Sequence, residues 1–131
     1  MMLFYPAVFH EEDNSVWVEF PDLEGCQTYG DTVSECVASA SEALGLYAES
    51  LIERNIKLPP PSSAKDIVLE DEKSFIMAVY CDLNNYLKDS KAVKKTLTIP
   101  EWLNNMATRE NINFSNVLQN ALIEKLGLVN K

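Results

Sequence analysis

Two groups of side chains in this 131-residue chain are of types that could do chemistry. The first is His10 with the acids that follow it, Glu11, Glu12 and Asp13. A lone histidine without matched partners carries little chemistry. Adjacent carboxylates after an apolar run serve first to solvate a turn. They could also be imagined as the Mg²⁺ site of a nuclease, with Asp22 nearby in sequence. The second group is Lys94, Thr96 and Thr98, at every other position of a short β-rich run. Alternate residues of a strand share one face. Here that face carries an ammonium group and two hydroxyls, which can read guanine and other base edges in a major groove. Further on, Ser115 and Asn116 stand where a helix is expected to start, and a helix N-terminus offers backbone N–H groups to phosphate. Lys94, Thr96, Thr98, Ser115 and Asn116 are therefore the candidate DNA-binding residues.

Other chemistries find no support. Cys26, Cys36 and Cys81 are an odd number without CxxC spacing, so neither zinc nor a disulfide framework is expected. No phosphate-binding glycine loop, nucleophile elbow or HExxH helix occurs. No catalytic residue, metal site or cofactor is expected.

Both groups depend on the elements that hold them. Leu3–Phe9 and Val16–Phe20 read as two strands of a hairpin around a polar turn, and Pro6 favours an edge position for the first. Cys26–Tyr29 reads as a third short strand. Thr32 can cap a helix, with Glu35 three residues on. Val33, Val37, Ala40, Leu44, Tyr47 and Leu51 then form one helical stripe. The helix is expected over about 33–54, with Asn55 in a left-handed turn and Pro59-Pro60-Pro61 as a stiff connector. Ser74–Tyr80 is a fourth strand, completing β-β-β-α-β over residues 1–81. Residues 82–91 read as a linker with about one helical turn.

The last segment, 92–131, differs in style. A strand at 93–99 ends at Pro100, which suits a first helical turn. A helix with Trp102, Leu103, Met106 and Ala107 follows, ending near Asn111. Ser115 is expected to cap a second helix with Val117, Leu118, Ala121, Leu122 and Leu126 inward and Gly127 at its end. A single strand and two short helices cannot bury a core or satisfy the strand's backbone. A symmetric dimer with paired strands is the economical solution, and a higher oligomer stays open. Alternation places Leu97 and Ile99 against the helices and Lys94, Thr96 and Thr98 outward.

Charge supports the division. The net charge is −9, yet residues 1–63 alone account for −9, residues 64–91 for −2 and residues 92–131 for +2. An acidic surface repels DNA, so only the last segment suits it. At 47% hydrophobic residues the chain can build a core. No apolar run approaches the roughly 18–20 residues of a membrane helix. The opening residues do not read as a secretory signal. With its thiols expected reduced, a cytoplasmic protein is the expectation.

These residues resemble the HicB antitoxins of bacterial toxin–antitoxin pairs. The likeness lies in Phe20-Pro21-Asp22-Leu23-Glu24-Gly25-Cys26, then Gly30-Asp31-Thr32 with Glu35, and the stop Pro59-Pro60-Pro61-Ser62. It continues in Lys95-Thr96-Leu97-Thr98-Ile99-Pro100, Trp102-Leu103-Asn104, Ile112-Asn113-Phe114-Ser115 and Val117-Leu118-Gln119. Cys36 departs from a common alanine, and Asn111 from a common glycine. The resemblance implies an α+β chain: a degraded RNase-H-like domain without a working nuclease site, then a ribbon-helix-helix dimerisation domain. It implies binding and neutralisation of a HicA mRNA interferase, repression of the chain's own operon at operator DNA, and no enzyme activity. An acidic domain suits a basic, RNA-binding partner. Two readings of other classes stand beside it: a metal-dependent RNase using Glu11 or Asp22, and a DNA-binding repressor with a small-molecule sensor domain.

Overall fold

The computed structural model describes residues 1–89 and 91–128. Four strands, β1 (Met2–Glu12), β2 (Ser15–Glu19), β3 (Gln27–Gly30) and β4 (Ser74–Asp82), form one antiparallel sheet in the order β3-β2-β1-β4. Helix α1 (Val33–Glu53) lies across one face. Helices α2 (Glu101–Arg109) and α3 (Phe114–Leu126) follow. The chain is thus α+β.

The strand pattern explains the core. Leu3, Tyr5, Ala7 and Phe9 alternate along β1 and face α1 with Val79 and Cys81 of β4 and Val16 and Val18 of β2. Phe9 is fully buried and its ring stacks on Phe75 at 5.3 Å. A side chain of this size contributes about 2–3 kcal/mol by leaving water.

β1 is a central strand, which corrects the edge position expected from Pro6. The reason is register. Odd-numbered β1 residues bond to β4, as Leu83 N–H to the Met1 carbonyl and Glu11 N–H to Lys73 show at the two ends. Even-numbered residues therefore turn their backbone groups away from β4. β2 begins pairing only at Val8. The missing N–H of Pro6 points to a place where no strand stands, so no ladder bond is lost.

Helix α1 starts as its sequence requires. Glu35 N–H donates to Thr32 Oγ1 at 3.1 Å, and Asp31 N–H donates to the Glu35 carboxylate at 3.1 Å. The helix ends at Glu53, and Asn55 is left-handed, with φ 57°. Its buried line is Cys36, Ala40, Leu44, Ala48 and Leu51. Small residues face the sheet and let the helix approach, while Val33, Val37 and Tyr47 flank the contact half-buried.

The segment expected as a linker is anchored at its start. Leu83 is 1% exposed within a single 3₁₀ turn, and Tyr86 and Leu87 pack on the core. The Tyr86 ring lies so close to Gly45 that a Cβ there would collide with it. Near the other end of the described chain, Leu58 N–H donates to the Leu128 carbonyl at 3.3 Å.

Candidate functional site

Residues 92–100 form no ladder within the chain and are exposed throughout. The expected strand is therefore absent from the single molecule. Lys94, Thr96 and Thr98 are exposed, but so are Leu97, at 58%, and Ile99. The expected cover of Leu97 and Ile99 by the helices is not made within one chain. Pro100 takes the cap position of α2 rather than its first turn, and Glu101 and Arg109 place opposite charges favourably at its two ends. Neither α2 nor α3 contains a buried residue. Trp102, Met106, Val117 and Leu122 are each more than half exposed.

The α3 cap differs from expectation. Asn113 caps the helix, accepting from Asn116 N–H at 3.1 Å, and Ser115 lies in the first turn. Asn is as good a cap as Ser, and capping at 113 brings Phe114 into the helix. Ser115 and Asn116 remain together at the exposed N-terminal end, with the Asn116 N–H already used. Asn111, φ 55°, supports the turn between the helices, and Gly127, φ 67°, ends α3.

The acids of the N-terminal half are not assembled as a catalytic set. Asp22 is committed to the proline run: its carboxylate accepts from Ser62 N–H at 2.8 Å and from the Ser62 hydroxyl. Tyr5 supports the same run by donating to the Pro59 carbonyl at 2.5 Å. Burial, and then the charge of Asp22, push the Tyr5 hydroxyl up to about 12. Among the described residues no three His, Cys, Asp or Glu side chains are placed to hold a metal ion. The cysteines are free and buried; burial pushes the Cys26 thiol up to about 11, the wrong direction for a nucleophile.

His10 is mostly buried, its side chain 15% exposed. It stacks on Trp17, with ring centroids 3.9 Å apart, and its Nδ1 lies 2.9 Å from Ser74 Oγ. Ser74 Oγ donates to Asp71 Oδ1 at 2.9 Å. That bond, chiefly, holds the Asp71 carboxyl below its usual range. Trp17 Nε1–H donates to Glu12 at 3.2 Å. Nothing in the local sequence announces this cluster, because cross-strand register brings residues 10 and 74 together.

The fold defines an α+β protein with a helix across one face of its sheet and C-terminal helices without a buried residue; no helix among the described residues is long and apolar enough to cross a membrane. The family of HicB-like antitoxins of bacterial toxin–antitoxin systems matches residues 5–121, and the chain belongs to it. That family is one of antitoxins, not of enzymes. Among solved structures, the chain is 36% identical to a chain of a toxin–antitoxin complex from Streptococcus pneumoniae, with a TM-score of 0.62 over 95% of this chain and 99% of that one. It is 26% identical to the antitoxin HicB3, with a TM-score of 0.66 over 94% and 97%. It is 25% identical to a chain of the HicA3–HicB3 toxin–antitoxin complex, with a TM-score of 0.52 over 61% and 99%.

Proposed function

We propose that the chain neutralises a HicA-type mRNA interferase through its N-terminal part, a degraded RNase-H-like domain, and represses its own operon through a C-terminal ribbon-helix-helix dimer. The division follows the sequence: residues 1–81, a connection at 82–91 whose first residues pack on the domain, and residues 92–131.

One observation carries the repressor half. The run 93–99 is extended in composition, unpaired and exposed, and leads into two helices with no buried residue. Such a segment gains its core and its strand pairing from a second copy. In the dimer Leu97 and Ile99 turn to the helices. Lys94, Thr96 and Thr98 of both chains form the outer face of a two-stranded ribbon, of a size that enters a major groove. The Ser115 N–H in the first turn of α3 meets a flanking phosphate, with the Ser115 hydroxyl and the Asn116 side chain as further donors, the Asn116 N–H being held by Asn113.

The antitoxin half rests on the family, on the likeness to chains solved as toxin–antitoxin complexes, and on the acidic N-terminal surface. Asp22, the most interesting carboxylate for a nuclease, holds Ser62 instead.

The test is salt-titrated binding of the full chain to DNA upstream of its operon, beside a scrambled duplex of equal length. Specific binding with a steep salt slope is the expected result. Equal, weak binding to both duplexes, with and without toxin, refutes the repressor reading.

A further inference from the structure

Among the described residues no α-helix lies over the sheet face opposite α1, and one row of side chains crosses all four strands there. Tyr29 stands opposite Trp17, Trp17 opposite His10, and His10 opposite Ser74. Tyr29 is 72% exposed, although large aromatic rings usually find cover. Beside the row runs a groove of about 760 Å³, lined in part by Ile67, Val68, Leu69 and Lys73. Its walls carry Glu11, Glu12, Asp13, Glu19, Glu70 and Asp71 against a single lysine, Lys73.

Hydrogen-bond direction sharpens the picture. Ser74 gives its proton to Asp71, so Ser74 Oγ accepts from His10 Nδ1–H. His10 Nε2 is buried without a hydrogen-bond partner among the described residues, 3.8 Å from a Glu19 oxygen. Trp17 has spent its donor on Glu12. The face offers carboxylates and aromatic surface and has few donors to give.

Resting on the antitoxin reading, we propose that this aromatic row and groove is the surface that docks the toxin, by taking arginine or lysine side chains of a basic protein. A guanidinium stacks on tyrosine or tryptophan and pairs with carboxylates at once. The covered Nε2 leaves Glu12, exposed, and Glu19, half-buried, as the paired groups, with Tyr29 as the platform. Nucleic acid is repelled by the same charges.

The experiment is calorimetric titration of the full-length chain with the purified toxin of its own pair. Tyr29→Ser and Glu70→Lys each weaken toxin binding at least tenfold, with unchanged thermal melting and unchanged operator affinity. The control, Glu42→Lys with Glu49→Lys on α1, stays within threefold of wild type. If wild type binds toxin and both groove variants bind within threefold of it, or the loss is confined to the α1 pair, the inference falls and the antitoxin reading stands. If wild type does not bind the toxin at all, the antitoxin reading itself falls, and the docking surface with it.

Discussion

The two ends of this molecule are built to opposite plans. Residues 1–87 close their core within one chain: Phe9, Leu44 and Leu83 lose nearly all contact with water. Residues 92–128 contain no buried residue, and Trp102, Val117 and Leu122 remain more than half exposed. One region is specified by its own sequence; the other, on the proposed reading, by its sequence and a second copy. The difference teaches where concentration enters. A core within one chain is stable at any dilution, whereas one shared between copies follows mass action.

Substitutions can break the contrast. Phe9→Ala, which empties a fully buried site, should cost about 3–5 kcal/mol of N-terminal stability. Thermal melting should show a large loss that does not change with protein concentration. Leu97→Lys should leave that melting alone. It should abolish the dimer in sedimentation and weaken operator binding about a hundredfold or more, because it places a charge in the shared core. An intact Leu97→Lys dimer would contradict the plan drawn for the C-terminal end.

Smaller changes sharpen it. Lys94→Ala keeps the apolar face of the ribbon and should cost operator affinity about tenfold, within the ~1–3 kcal/mol of one base contact. Toxin affinity should stay within twofold. Equal loss of both would erase the proposed division of labour.

The smallest effect concerns the covered core and its pH response. The folded chain keeps the Tyr5 proton up to about 12, after the unfolded chain has lost it near 10. Stability from this group is therefore complete below pH 10 and lost as pH rises toward 12. Cys26 acts in the same direction from about 9 toward 11. Tyr5→Phe removes the bond to Pro59 and should cost about 1 kcal/mol at neutral pH. The gap from wild type should narrow between pH 10 and 12 in denaturant melts. A constant gap would show that Tyr5 ionisation is not coupled to folding.

The same contrast governs what the sequence could tell. Helix α1 was readable because its signals are local: Thr32, Glu35 and the stripe through Ala40, Leu44 and Leu51. The C-terminal helices were readable for the same reason, though the cap fell on Asn113, two residues before Ser115, since both residues cap well and local chemistry does not choose between them. The central place of β1 was hidden, because Pro6 is tolerated only through the register of β2, which lies outside its own segment. The His10–Ser74–Asp71 cluster was hidden more deeply. Its members meet by β1–β4 pairing, and sequence periodicity is silent about which strands become neighbours. The strand expected at 93–99 is not formed within the single chain, since alternation gives a strand its faces but not its partner.

The pairing of β1 with β4 also sets an order of events in time. The strand made first waits for one made last: His10 and Ser74 are 64 positions apart. Closing so long a loop is costly before any contact repays it, so this sheet forms late and as a whole. A chain still in synthesis, or one cut short before Ser74, holds β2 against the far half of β1 but has no partner for its near half, Met2–Ala7. Half an N-terminal domain is no domain, and the protein is available to its partners only once its central strand has been claimed from both sides.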